Sequence, residues 1–88
     1  MNKIIPEKYI SLINIINKEV NGDCEKIITI MQTIDVKEQK KEYLLFDTAL
    51  TYLTYQTLSS SPSEVSNEPI HKCVKRISKN IQELNNLQ

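Results

Sequence analysis

Apolar residues return every third or fourth position through most of this chain, and few residues interrupt the rhythm. Tyr9, Leu12, Ile13, Ile16 and Val20 fall at i, i+3, i+4, i+7 and i+11, one face of a helix that Pro6 is suited to open. Asn21 and Gly22 supply a left-handed stop, and Asp23 can cap whatever follows. Cys24, Ile27, Ile28, Met31 and Ile34 then repeat the spacing. The run "IITIM" is β-branched enough to suit a strand in isolation, but helix caps flank it and no partner strand is visible, so a second helix is expected.

Asp35 followed three positions later by Glu38 has the form of a capping box, which opens a third helix near Val36. No glycine or proline interrupts that helix before Pro62. "SSSPSEVSNEP" is a cluster of turn formers. Beyond it, Ile70, Val74, Ile77, Ile81 and Leu84 are spaced four, three, four and three, the seam of a fourth helix. The pattern predicts an all-α fold in one domain, 1–88: a small up-down bundle of four helices at about 6–20, 24–34, 36–58 and 69–86, with a Ser/Pro-rich loop at 59–68.

The third helix carries two stripes. Tyr43, Phe46, Ala49, Leu50 and Leu53 share a broad arc, with Leu45 and Tyr52 at its edge, and form the expected core face. Leu44, Thr48, Thr51 and Tyr55 recur at i, i+4, i+7 and i+11 on the other side, with Leu58 close by. No charged residue lies between Asp47 and Glu64, although 25% of the chain is charged. One reading makes this the central helix, packed on more than one side, with threonine hydroxyls bonded back to carbonyls one turn earlier. The other makes Leu44, Thr48, Thr51, Tyr55 and Leu58 a contact surface, since uncharged patches containing tyrosine suit interface cores.

Charge narrows the function classes. The 11 basic and 11 acidic residues cancel, so the chain has no overall bias toward nucleic acid or anionic membrane. Lys72, Lys75, Arg76 and Lys79 do form a local stripe opposite the fourth helix's seam, a candidate contact for an acidic protein or for phosphates. It lacks interleaved aromatics for reading bases.

Chemistry finds little footing. His71 and Cys73 point to different sides of a helix and cannot jointly hold zinc. Gly22 stands alone, so no glycine-rich loop cradles phosphate. Glu38 and Glu42 are interleaved with Lys37, Lys40 and Lys41, as on a solvated, salt-bridged face. No catalytic residue, metal or cofactor is therefore expected.

Cys24 and Cys73 read as free thiols of a reducing compartment. With neither a signal-type apolar core at the start nor an apolar run of about 18 residues, a cytoplasmic location without a membrane span is the expectation. The size and architecture suit a non-enzymatic protein that binds and inhibits, neutralises or chaperones a partner protein, of the immunity-protein, antitoxin or phage-inhibitor kind, through the uncharged face of the third helix. The alternatives are a nucleic-acid-binding regulator using the basic stripe, and a homodimer or larger homo-oligomer that buries the uncharged stripe against its copy.

Overall fold

The chain turns where its caps dictate. In a computed structural model, which describes residues 4–60 and 67–87, α1 (Glu7–Glu19) is followed by α2 (Cys24–Gln32), α3 (Lys40–Ser60) and α4 (Asn67–Asn86). The described residues contain no strand, and the β-branched "IITIM" run is helical. The expected all-α bundle of four helices is the fold.

Between α1 and α2, Asn21 and Gly22 take positive φ values of 55° and 68°. The Gly22 N–H donates to the Asn17 carbonyl at 2.9 Å and the Asn21 N–H to the Lys18 carbonyl at 3.2 Å. These paired bonds are the Schellman arrangement, which satisfies carbonyls at a helix end. One residue later the Asp23 carboxylate accepts from the Glu25 N–H at 3.0 Å and starts α2.

The entry to α3 differs in detail from the expectation. Asp35 Oδ1 accepts from the N–H groups of Lys37 and Glu38 at 2.9 and 3.2 Å. The side chain that reaches back to the Asp35 N–H is Gln39, at 3.4 Å, rather than Glu38. Residues 36–39 form a turn on this frame, and the regular helix starts at Lys40. At its far end α3 continues to Ser60, and α4 already begins at Asn67, with Pro69 in its first turn. Ser59, Ser60, Asn67 and Glu68 of the expected loop are thus helical, and its residues 61–66 lie outside the described residues.

α3 packs against all three other helices, most extensively against α4. Asp47 meets Arg76 and Asn80, while the earlier Lys40 reaches the later Glu83 at 3.6 Å, so α3 and α4 run antiparallel. The core gathers Tyr9, Ile13 and Val20 from α1 and its C-cap, Ile27 from α2, Leu44, Leu45 and Ala49 from α3, and Ile77, Ile81 and Leu84 from α4. The Tyr9 hydroxyl donates to Asn85 Oδ1 at 2.8 Å and ties α1 to the end of α4. Leu12, expected on the buried face of α1, is exposed; α1 leans chiefly on α3, so its buried stripe is narrow.

A Cβ added at Gly22 meets nothing within 4 Å, so only the backbone resists substitution there. Gly22→Ala is expected to cost about 1 kcal/mol through its left-handed conformation. Urea denaturation of the two proteins measures it.

Candidate functional site

The uncharged stripe of α3 turns inward. Leu44, Thr48 and Thr51 are 4%, 0% and 7% exposed, buried within the chain itself, and so do not form the open contact face expected of them. Tyr55 and Leu58, further along, are half-buried. The cause is the central position of α3: one buried arc is too little for a helix with neighbours on several sides. The expected core arc is correspondingly less enclosed, with Ala49 buried but Tyr43, Phe46, Leu50 and Leu53 only partly so. Burial of the threonines is made tolerable by back-bonding, from Thr48 Oγ1 to the Leu44 carbonyl at 2.7 Å and from Thr51 Oγ1 to the Asp47 carbonyl at 2.8 Å. With its hydroxyl so occupied, threonine presents a methyl group to its neighbours.

Asp47 lies on the same inward side, with a side chain 5% exposed. An unpaired carboxylate there would be costly, and three donors from α4 meet it. Arg76 forms a fork, Nε to Oδ2 and Nη2 to Oδ1, both at 2.8 Å. Asn80 Nδ2 adds a bond to Oδ2 at 2.8 Å. Arg76 and Asn80 are one helical turn apart, which is why both reach a single carboxylate. The hydrogen bonds to Asp47 raise the Arg76 pKa above its ordinary value despite partial burial, and the guanidinium stays charged.

Arg76 is thus not merely one member of a solvated stripe. Its side chain is still 59% exposed, and it borders two depressions. The larger is a groove of about 570 Å³ between α3 and α4, floored by Leu50, Thr51, Thr54 and Cys73. Lys72, Lys75, Arg76 and Lys79 line its α4 side. The second, of about 300 Å³, is bounded by Ile28, Met31 and Gln32 of α2 and by Tyr43 of α3. It shares Asp47, Leu50 and Arg76 with the first.

The structure therefore brings Thr51 together with all four expected basic residues. It keeps Leu44 and Thr48 apart from them, and neither Tyr55 nor Leu58 lines the groove. Lys72 pairs with Glu68 at 3.7 Å on the surface, whereas Lys75 and Lys79 have no ion-pair partner among the described residues. Lys40, expected to pair locally with glutamates of its own helix, reaches Glu83 of α4 instead.

Asp47, Asn80 and Cys73 are site residues that periodicity missed. Asp47 did carry a signal, as a lone charge between "YLLF" and "TALTYL". Cys73, Ile77, Asn80 and Leu84 also share the four-three-four spacing, with the amide in an otherwise apolar series. Cys24 and Cys73 both carry free thiols. Burial pushes the Cys73 thiol up from its ordinary pKa of 9.0, against the opposing charge of Arg76.

Comparison of the chain with protein-family models, with curated proteins and with solved structures finds no match. No helix among the described residues is long and apolar enough to cross a membrane.

Two outcomes follow for stability. Arg76→Ala leaves the Asp47 carboxylate buried with only Asn80, and is expected to cost about 3 kcal/mol. Asp47→Ala should cost less, because the half-exposed guanidinium can return to water and only the Asn80 amide loses its acceptor, at about 1–3 kcal/mol. Urea unfolding of both variants tests the order. For Cys73, the folded state holds the thiol proton more tightly than the unfolded chain does. Its contribution is therefore complete below the unfolded value near 9.0 and is lost as pH rises through the higher folded one. Wild type should lose more stability between pH 8 and pH 10 than Cys73→Ala, read as the shift in urea midpoint.

Proposed function

We propose that this chain is a non-enzymatic protein-binding module that holds a segment of a partner protein in the groove between α3 and α4, and thereby inhibits, neutralises or chaperones it. One observation carries the reading: an uncharged floor, on which Thr54 and the half-buried Leu50 are accessible above the buried Thr51 and Cys73, lies beside a wall of four cations. Such a juxtaposition of apolar contact area with charge is what peptide-binding surfaces use, the floor for affinity and the wall for steering and register. Binding requires no reaction at the site, and the Cys73 thiol, held protonated by burial, is a poor nucleophile.

A nucleic-acid ligand fits the groove less well. Its four cations could meet phosphates, but none of its lining residues is aromatic, so bases would find no stacking platform. The contact site also differs from the one the helix pattern suggested: it lies on the α4 side of α3 and keeps Thr51, but not Leu44, Thr48, Tyr55 or Leu58.

Thr54 is exposed and lines the groove, which makes it a suitable place for a photo-cross-linker. With p-benzoylphenylalanine replacing Thr54 in the native source, irradiation is expected to yield an adduct to a different protein. The combined Lys75→Glu and Lys79→Glu changes should lower its yield at least tenfold. Adducts confined to nucleic acid, to a second copy of this chain, or indifferent to the two charge reversals would overturn the proposal.

A further inference from the structure

We infer that the segment held in the groove is acidic and carries one large apolar side chain, which passes over Arg76 into the hollow between α2 and α3. This rests on the protein-binding reading above and specifies the chemistry of the partner.

The charge requirement comes from counting what is already paired. Of the wall's four cations, Arg76 shares its charge with Asp47. Lys72 has only the exposed carboxylate of Glu68, and Lys75 and Lys79 have none among the described residues. The groove's own acid, Asp47, is fully engaged by Arg76 and Asn80 and cannot neutralise the lysines. A ligand lying on Leu50 and Thr54 meets an excess of positive charge, and carboxylates are the complement.

The anchor requirement comes from the second depression. Asp47, Leu50 and Arg76 border both cavities, so the ion pair is the divide between them. Arg76 directs Nε and Nη2 inward to Asp47, which leaves the rest of its five-donor fork available to a ligand carboxylate. Beyond it, the 300 Å³ hollow is walled by Ile28, Met31, Tyr43 and Leu50. That volume sits at the lower bound of small-ligand pockets, roughly 300 Å³, and suits a single aromatic or large aliphatic side chain. Met31 gives one wall that can adjust to the shape of its guest. Ile28, 43% exposed at the rim, is the apolar surface such a side chain would cover. A buried anchor flanked by polar contacts is the usual energetic plan of a binding segment.

The test uses the full chain, isotope-labelled for amide NMR, and two synthetic twelve-residue peptides rich in glutamate. One has a central phenylalanine and the other has serine in its place. The phenylalanine peptide is expected to bind at least tenfold tighter, and to shift amides of residues 28–32 and of Tyr43 as well as those of 72–79. Ile28→Ser, at a surface position, should reduce its affinity to that of the serine peptide while leaving the rest of the spectrum in place. Equal affinity of the two peptides, or shifts confined to α4, overturns the anchor and leaves the groove reading standing. Absence of binding by either peptide overturns the inference as a whole. The cross-linking experiment independently decides whether the groove holds a protein at all.

Discussion

A carboxylate buried two turns into α3 decides how α4 must lie. Removing a charge from water costs several kcal/mol, and that cost is offset only when donors arrive in good geometry. Arg76 and Asn80 supply three hydrogen bonds of 2.8 Å to Asp47, from two positions one turn apart on one face. A shift of α4 by one residue would bring toward the carboxylate either Ile77 and Ile81, which donate nothing, or Lys75 and Lys79, whose ammonium groups cannot form the two-pronged guanidinium fork. Apolar packing alone tolerates such a shift better, since one isoleucine can replace another across a helical seam. The polar cluster thus makes one register of the central helix pair much better than its neighbours.

The threonines of α3 complement that constraint by making the rest of the helix unselective about its surroundings. Thr48, Thr51, Thr54 and Thr57 each bond to the carbonyl four residues earlier, at 2.7–3.1 Å. Because they are spaced three apart, successive members step around the helix, from the fully buried Thr48 to the exposed Thr54 and Thr57. Every hydroxyl is satisfied within its own helix whether or not a neighbour covers it. The helix can therefore sit in the middle of the bundle without charge on its flanks and without orphaned polar groups inside.

Much of this was legible in the residues. Periodicity and capping chemistry located four helices, and the Asn21-Gly22-Asp23 turn formed as its residues required. Ends were less legible: Gln39 rather than Glu38 closes the α3 cap, because the two neighbours have similar reach and only the turn geometry selects between them. The role of the Thr stripe was legible only as a choice, since a helical wheel shows faces but not how many neighbours a helix has. Arg76 stood in plain view as one of four cations. Nothing in the spacing of charges tells which of them turns back to a carboxylate 29 residues earlier. Asn80 is inconspicuous because an amide does not stand out on a helix seam defined by its apolar residues.

The Tyr9–Asn85 bond bears on the order in which the chain assembles. It joins residues 76 apart, whereas Asp47 and Arg76 are separated by only 29. On loop-closure entropy alone, the longer connection costs about 0.9 kcal/mol more to close. The α3–α4 hairpin is accordingly the cheaper nucleus, and contacts local in sequence favour rapid folding. On that ordering of costs, α1 is the clasp of the fold: the Tyr9 hydroxyl closes the longer connection, on the amide at the hairpin's far end.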